Sequence, residues 1–392
     1  MRPPQNGREI SGSTPRMIVT VILLGGALLP WVVVGSEKNR EEKLLNIFTL
    51  VRFQQNPCVA MGTMMGTCMT TPECSEARGT PGNPCALGFG VCCAFAQGCG
   101  EVITRNCSYI QSQDYPKPVT EPGECQHIIR RCDSNICFIR FDFDEFQIDD
   151  PAVVDDATDD GTCDMDTISF TSGNGISVPT MCGTLTGQHL YMDAGGPGST
   201  TEMSVTHAFN GGASRIFKYK VTQIPCGTTW TPPPGCSMYL TGTSGQFQSY
   251  NYNGGYHLNN QNHKICFRQE EGYCRIQYTQ TDDPFSFKFT GRANSRRASS
   301  GDRFCRGDYL FIPNGRNSDV MGANACRGTL GTSHKDRFCG SVLNCIQGTT
   351  KRRTIISDVP GPFYVQYVTD ARDNDFPNNN FGFSLKYMQI PC

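Results

Sequence analysis

The chain lacks the short cysteine and histidine motifs that hold zinc. None of its 22 cysteines forms a Cys-x-x-Cys pair, and none of its six histidines lies in a His-Glu-x-x-His sequence. Structural zinc modules and zinc peptidases depend on such spacings, because close ligands must converge on one ion. The cysteines are therefore predicted to form disulfides, which a reducing cytosol would not maintain.

Long apolar runs are also scarce. The only one, Met17–Val34, follows a basic segment and ends at the small residues Gly35 and Ser36. This order predicts a secretory signal peptide over residues 1–36, cleaved near Gly35 or Ser36. Because the run is just long enough to cross a bilayer, an uncleaved signal anchor is the alternative. We expect an extracellular, secreted protein that contacts no membrane unless the segment is such an anchor.

A sustained helical period is absent after residue 44. Instead, aromatic residues alternate with polar ones in several short segments, and Gly, Asn, Asp and Pro clusters such as Asn314-Gly315 separate them. Alternation of this kind predicts half-buried strands joined by turns. The sequence therefore predicts an all-β protein built from antiparallel sandwiches.

The sequence contains an internal duplication marked by four landmarks in one order. These are a Cys that opens an alternating strand, a Cys-x-x-Asp, a Cys-Gly pair and a closing Gln-Ile-Pro-Cys. They fall at Cys137, Cys163–Asp166, Cys182-Gly183 and Gln223–Cys226, and again at Cys274, Cys305–Asp308, Cys339-Gly340 and Gln389–Cys392. A repeated order of this kind predicts two copies of one domain.

The cysteines also divide evenly along the chain, with six in 58–93, eight in 99–226 and eight in 236–392. Even numbers allow every disulfide to close within its own segment. The predicted domains follow. They are a lead-in over 37–57, a Cys-rich module over 58–98, sandwiches over 99–226 and 236–392, and a Pro-rich linker over 227–235.

Charge differs between the two copies. Residues 99–226 carry 8 Lys and Arg against 18 Asp and Glu, a net −10, whereas residues 227–392 carry 18 against 12, a net +6. Opposite signs are able to hold the domains face to face or to attract separate partners. Two independently solvated surfaces are the simpler reading, and solvation is also the expectation for the eight Asp between 149 and 166.

The ordered cysteines and acids resemble the CUB domain, a jelly-roll β-sandwich of secreted and cell-surface proteins. The matching residues are Cys99-Gly100, Cys125, Phe146–Asp149, Cys163–Asp166 and Cys182-Gly183, then Cys236, Cys266, Cys305–Tyr309, Cys339-Gly340 and Val368–Asp370. Gly187–Tyr191 and Asp336–Gly340 resemble a CUB subgroup widespread in arthropods. The six cysteines of 58–93 end in a Cys-Cys doublet and resemble the clip domain of arthropod extracellular proteases.

The resemblance implies a set of disulfides. It pairs Cys99 with Cys125, Cys163 with Cys182, Cys236 with Cys266, and Cys305 with Cys339. The duplication adds Cys137 with Cys226 and Cys274 with Cys392, which leaves Cys107 with Cys132 and Cys326 with Cys345. Within the Cys-rich module, disulfides among Cys58, Cys68, Cys74, Cys85, Cys92 and Cys93 are expected without an assigned connectivity. Eleven disulfides and no free thiol are therefore expected.

Many CUB domains bind one Ca²⁺ through three acids, and each copy here keeps two of the three. They are Asp149 and Asp166 in the first copy, and Asp308 and Asp370 in the second. Calcium is thus a possible cofactor, with the more acidic first copy preferred. The alternative is that these carboxylates cap loop N–H groups without metal.

Other motifs favour structure over chemistry. The segment Asp193–Ser199 lacks the Ser that a serine-protease loop would need, so it is interpreted as a turn and no enzyme is expected. Arg306–Asp308 spells an integrin-type tripeptide, but its Asp is the inward CUB residue. Asn106 begins the only N-glycosylation sequon, and Lys351–Arg353 and Arg296-Arg297 are basic clusters with a solvated surface as the default.

The predicted function is a secreted, non-enzymatic recognition or adhesion protein that binds extracellular proteins or glycans, and not nucleic acid. Two alternatives remain open at this point. One is a non-catalytic regulator of an extracellular protease cascade, engaged through residues 58–93. The other is a structural component of matrix or cuticle.

Overall fold

The computed structural model describes residues 56–152, 161–173, 177–289, 299–300, 302, 304–318, 326, 334–346, 349–371 and 381–392. The predicted signal peptide, most of the lead-in, part of the Asp-rich segment and the Arg296-Arg297 pair lie outside these ranges. The chain divides into two compact units, one ending at Ala94 and the other running from Phe95 to Cys392. None of the described helices is long and apolar enough to cross a membrane.

The first unit is a small antiparallel sheet with one short helix. Its elements are β1 (Pro57–Met61), β2 (Met64–Met69), α1 (Thr71–Glu76), β3 (Thr80–Cys85), a 3₁₀ turn (Ala86–Gly88) and β4 (Gly90–Gln97), which continues into the next unit. Strand β4 pairs with both β2 and β3, and β1 pairs with β2. A capping box at Thr70 and Glu73 starts α1, which places Cys74 in the interior.

The first sandwich in the second unit consists of two sheets. Its strands are β5 (Val102–Ile103), β6 (Ser108–Gln111), β7 (Gly123–Ile129), β8 (Ile136–Gln147), β9 (Asp166–Ser172), β10 (Ser177–Met181), β11 (His189–Asp193), β12 (Met203–Phe209) and β13 (Ile216–Pro225). One sheet has the order β6-β13-β8-β11, and the other has the order β10-β9-β12-β7-β5. All neighbours are antiparallel except β5 and β7.

The second sandwich is built differently, because one hydrogen-bonded path runs through both of its layers. Its strands are β14 (Cys236–Leu240), β15 (Ser244–Gln248), β16 (Asn262–Phe267), β17 (Tyr273–Gln280), β18 (Phe287–Lys288), β19 (Ser299–Ser300), β20 (Tyr309–Asn317), β21 (Lys335–Gly340), β22 (Ile355–Ser357), β23 (Phe363–Val368) and β24 (Gly382–Pro391). The path is β14-β16-β23-β20-β22-β17-β24-β15, with β18, β19 and β21 attached at its sides. A 3₁₀ turn lies at Tyr252–Gly254.

The turn predicted at Asn314-Gly315 is wrong, since both residues lie inside β20. The strand register shifts between Phe311 and Gly315, and Asn314 takes a left-handed φ of 51°. Asn tolerates that conformation better than most residues, so a bulge can form where the sequence pattern indicates a turn.

The aromatic alternation explains the cores. Along β8, Phe141 and Phe143 face inward and are fully buried, whereas Arg140 and Asp142 face outward and form an ion pair with a shortest separation of 2.6 Å. Phe141 packs on Phe170 of the opposite sheet with ring centroids 4.7 Å apart. Burying such a side chain stabilises the fold by about 2–3 kcal/mol, so each of these rings contributes substantially to the core.

All 22 cysteines lie in described residues, and twenty of them form ten disulfides. The bonds join Cys58 to Cys92, Cys68 to Cys85, Cys74 to Cys93, Cys99 to Cys125, Cys137 to Cys226, Cys163 to Cys182, Cys236 to Cys266, Cys274 to Cys392, Cys305 to Cys339 and Cys326 to Cys345. Matching landmarks of the duplication therefore carry matching bonds. None of the ten crosses residues 227–235.

The pairing of Cys107 with Cys132 is wrong in this structure, where both are free thiols. Gln223 bridges the two segments that carry them. Its side-chain Oε1 accepts a hydrogen bond from the backbone N–H of Cys132 at 2.7 Å, and its own N–H donates to Asn106 Oδ1 at 2.8 Å. These bonds keep the two segments together without a covalent link.

Thiol labelling tests this assignment. We expect alkylation of the native protein to modify the exposed Cys132 and to spare the buried Cys107, which should react only after unfolding. Burial raises the pKa of the Cys107 thiol, and partial desolvation raises that of the Cys132 thiol, so labelling of Cys132 should accelerate as the pH rises toward alkaline values. Intact mass after full alkylation should show two modified residues, and a protein with no reactive thiol would contradict the structure.

Candidate functional site

Asp166, the acid of the first Cys-x-x-Asp, forms a buried ion pair with Arg215. Asp166 is the first residue of β9, and Arg215 lies just before β13. Arg215 Nε donates to Asp166 Oδ2 at 2.6 Å, and Arg215 Nη2 donates to Asp166 Oδ1 at 2.9 Å. Both side chains are completely buried. The carboxylate thus meets a guanidinium in the bidentate geometry that gives the strongest charge-assisted bonds.

Arg215 uses all of its donors at this position. Nη1 donates to the backbone carbonyls of Thr120 at 3.0 Å and Glu121 at 3.2 Å, and Nη2 also donates to the carbonyl of Gly211. Together with the two bonds to Asp166, these account for the five N–H groups of a guanidinium. The charge is therefore fully compensated although it is removed from water.

The calcium site predicted at Asp149 and Asp166 is not formed by these residues. Both oxygens of Asp166 accept hydrogen bonds from Arg215, and Oδ2 also accepts the backbone N–H of Asp149 at 3.0 Å. The half-buried Asp149 uses Oδ1 to accept the N–H of Asp150 at 3.1 Å. A permanent cation already neutralises the carboxylate, so a divalent ion would meet the positive charge of Arg215.

In the second sandwich the structure brings Asp308 and Asp370 together. Asp308 is buried and its Oδ1 accepts the backbone N–H of Asp370 at 2.9 Å, while Asp370 is exposed. Gly307 approaches the Asp370 carboxylate so closely that a Cβ there would overlap it. Within the Arg306–Asp308 tripeptide, Asp308 faces inward as expected, whereas Arg306 is exposed. These two acids remain candidate oxygen ligands for a hard cation.

The two sandwiches are joined by hydrogen bonds, and their β11 and β14 strands lie side by side. His189 Nε2 accepts the backbone N–H of Tyr239 at 3.2 Å, and the hydroxyl of Tyr250 donates to the carbonyl of His189 at 3.1 Å. An acceptor nitrogen must be unprotonated. Burial, with a further contribution from Arg140, lowers the pKa of His189 to about 4.

A second contact inserts Asn251 of the second sandwich against the first. Asn251 adopts a left-handed φ of 58°, and its Oδ1 accepts the N–H of Thr184 at 2.7 Å. A Cβ on Gly183 would overlap this amide, so the Gly of the repeated Cys-Gly pair is required for close approach. Gln188 adds a bond from Nε2 to the carbonyl of Ser249 at 2.9 Å.

Both sandwiches contribute to the walls of a cleft of about 240 Å³. Tyr191 and Asp193 belong to β11, whereas Asn262 and Lys264 belong to β16 and Gln366 to β23. Its other lining residues are Phe138, Val178, Pro179, Met192, Gly235, Cys236, Ser237 and His263. The cleft therefore combines aromatic surface, two amides and charges of both signs.

The remaining predicted residues do not gather at these sites. Asn106 is half-buried and its Oδ1 accepts the N–H groups of Cys107 and Gln223. Arg352 donates to the backbone carbonyls of Thr281 and Asp283, which ties down the centre of its basic cluster. In Asp193–Ser199, the Asp193 carboxylate accepts the Gly195 N–H at 2.7 Å, a bond that supports a turn.

Sequence reasoning missed Arg215, His189 and Asn251. No motif marks Arg215 or Asn251, because each acts through residues far away in sequence. Gly183 carried a signal, since its Cys-Gly pair recurs at Gly340. That repetition indicated structural importance and not the contact that Gly183 makes.

Family comparison matches two regions of the chain. Residues 233–390 match the animal CUB domain, and residues 99–209 match the CUB domain. No curated protein matches the chain. The resemblance of 58–98 to a clip domain, and to an arthropod subgroup elsewhere, stays a prediction.

Solved structures with CUB domains are similar to the chain at low identity. The CUB1-EGF-CUB2 domains of rat MASP-1 cover 75% of this chain and 99% of their own, at 15% identity and a TM-score of 0.24. The Ca²⁺-bound CUB2 domain of MASP-1 covers 32% and 98%, at 18% identity and 0.25. The full extracellular region of zebrafish Gpr126/Adgrg6 covers 75% and 34%, at 11% identity and 0.26. With TM-scores this low, nothing further about this chain is inferred from them.

The Gly183 contact leads to a mutational test. Gly183 has a φ of +76° and Gly187 has a φ of +80°, but only at Gly183 would a Cβ meet a neighbour. Alanine at either position costs about 1 kcal/mol, because its Cβ disfavours the left-handed backbone conformation. Gly183→Ala must also displace Asn251 from Thr184, which adds about 1–3 kcal/mol for an unpaired buried group. Urea unfolding should therefore show a larger loss for Gly183→Ala than for Gly187→Ala, and equal losses would contradict the contact.

Acid should weaken the contact at His189. Folding lowers the pKa of His189 from 6.5 to about 4, so between these pH values the unfolded chain binds a proton that the folded chain does not bind. The free energy of unfolding should thus fall as the pH drops from 6.5 toward 4, by about 3 kcal/mol for this residue, and stay constant above 6.5. His189→Gln keeps an acceptor and cannot titrate. Urea unfolding at several pH values should show the same stability near neutrality and a shallower acid slope, and an unchanged slope would refute the role of His189.

Proposed function

We propose that this chain, which contains two CUB domains, is a secreted, non-enzymatic recognition protein that binds extracellular proteins or glycans. CUB domains commonly mediate protein binding or adhesion. The ten disulfides suit an oxidising extracellular environment. Under this proposal the signal is cleaved near Gly35 or Ser36, and Asn106 carries the glycan of its sequon.

The cleft between the sandwiches carries the proposal. Ligand sites occur preferentially at domain interfaces, and they combine aromatic surface with a few polar groups. Here Lys264 Nζ lies 5.2 Å from the centre of the Tyr364 ring, and Gln366 Nε2 donates to Asn262 Oδ1 at 2.6 Å. These side chains provide the charge and the amide groups that would recognise a polar partner. Since both domains line the cleft, the partner would contact both.

Calcium in the second domain belongs to the same proposal. Asp308 and Asp370 would hold the ion, which would neutralise their carboxylates and tie together the loops that carry them. The first domain is not included, because Arg215 satisfies Asp166.

The cleft is tested by a pair of charge-removing substitutions. Asp193→Asn with Lys264→Gln removes both charges and keeps a polar side chain at each position. Against any extracellular protein or glycan that binds the wild-type chain, we expect the affinity to fall at least tenfold, or about 1.4 kcal/mol. Surface plasmon resonance with the immobilised partner provides the measurement.

The matched control is Asp282→Asn with Lys386→Gln. These residues form an exposed pair at 3.3 Å, and neither lines the cleft. The control should bind like wild type. Equal binding by the cleft variant would place the recognition surface elsewhere on the chain.

A second candidate function is regulation of an extracellular protease cascade. It is favoured by two exposed apolar residues of the first unit, Leu87 and Phe89, which we call the tip. Leu87, inside the 3₁₀ turn, is 88% exposed, and Phe89, which follows the turn, is 56% exposed. Leu87 also holds a left-handed φ of 57°, which is strained for a large residue. Exposed apolar residues on a disulfide-bonded tip suit docking to an apolar pocket of a partner protein.

Substitution at the tip separates the two functions. Leu87→Ser with Phe89→Ser should abolish any effect of the chain on a protease cascade and leave binding through the cleft unchanged. Trp230→Ser, at a site that is 52% exposed and outside the first unit, is the control. A tip variant with full cascade activity would reject this candidate.

A further inference from the structure

The oxygen atoms that surround the buried Arg215 resemble the ligands of a coordinated cation. Its guanidinium faces the two oxygens of Asp166 and the carbonyl oxygens of Thr120, Glu121 and Gly211. A set of one carboxylate and three carbonyls is the oxygen environment that a hard divalent cation prefers. Here the same oxygens accept N–H groups.

Burial makes a compensating partner for Asp166 necessary. An ionised carboxylate that is removed from water must be paired and hydrogen-bonded, or the fold loses the full desolvation energy. Asp166 is completely buried, and so is Arg215. The Phe209 ring covers the guanidinium at 4.9 Å, which adds a cation–π contact and excludes solvent.

The same side chain also connects segments distant in sequence. Arg215 exchanges two backbone hydrogen bonds with Val119, both 2.9 Å long, and its side chain reaches Thr120 and Glu121 from there. Asp166 in turn accepts the N–H of Asp149. One ion pair therefore joins the segment before β7, the end of β8, the start of β9 and the loop before β13.

We propose that Arg215 is the built-in cation of the first CUB domain and takes the place that a divalent ion would fill. The first CUB domain then keeps its loops in position at any calcium concentration. Any calcium dependence of the chain's stability would come from residues outside this domain. Arg is suited to this role because it is always charged and because its planar fork supplies five donors, whereas Lys supplies a compact charge with three. The inference does not depend on which partner the chain binds.

The test uses the full chain with Asp308→Asn, which removes one acid of the second pair and keeps its acceptor for the Asp370 N–H. In this reference protein the melting temperature should be the same in millimolar calcium and in EDTA. Adding Arg215→Met removes the cation and retains an apolar stem of similar length. That variant should melt lower in EDTA and gain several degrees in calcium, because binding to the folded state stabilises it by mass action. Adding Asp166→Asn as a third substitution should abolish the gain.

Two results would overturn the proposal. One is a folded Arg215→Met variant whose melting temperature does not change with calcium. That result would show that Arg215 is an ordinary ion-pair partner. The other comes from calorimetric titration of the reference protein with calcium, which requires no Arg215 variant to fold. We expect no binding heat there, and a heat that disappears with Asp166→Asn would show that Asp166 binds calcium beside Arg215.

Discussion

The hydrogen-bonded contact between the two sandwiches is the constraint on which the second unit depends. Asn251 accepts from Thr184 only because Gly183 has no side chain, and Tyr239 donates to His189 only while that imidazole is neutral. Contacts between domains are commonly small and allow motion. Here buried polar groups on both sides are paired across the boundary, and separation would leave them unpaired. The cleft lined by Asp193 and Lys264 takes its walls from the two sandwiches that this contact joins.

The two CUB domains also place equivalent acids in contact with different hydrogen-bond partners. Asp166 and Asp308 occupy the same place in the Cys-x-x-Asp landmark, and both are buried. Asp166 meets a guanidinium, whereas Asp308 caps the N–H of an exposed second acid, Asp370. The repeated landmark therefore carries a buried carboxylate and a matching disulfide in both domains. Cys163–Cys182 and Cys305–Cys339 restrain the loops that lead to these acids in both domains.

Much of the fold could be predicted from local patterns. The alternation of Phe141 and Phe143 with charged residues is a short-range property, and it specified β8 as a strand with one buried face. The preference for calcium at Asp149 and Asp166 rested on net charge, which is a sum over the whole domain. The environment of one carboxylate depends on its nearest neighbours, and Arg215 is 49 residues away from Asp166 in the chain. The turn assigned to Asn314-Gly315 failed because pairing with β21 and β22 turned a local signal into a bulge.

By itself, the sequence determined the all-β class, the duplication and the landmarks that carry the CUB resemblance, because periodicity and cysteine spacing are written along the chain. Tertiary structure alone decided which charges meet, which histidines stay neutral and where the two domains touch. It also left Cys107 and Cys132 as thiols, although Gln223 bridges the segments that carry them. The physical reason is common to all of these outcomes. Hydrogen bonds and ion pairs act over a few ångströms in space, and their partners come from strands far apart in sequence.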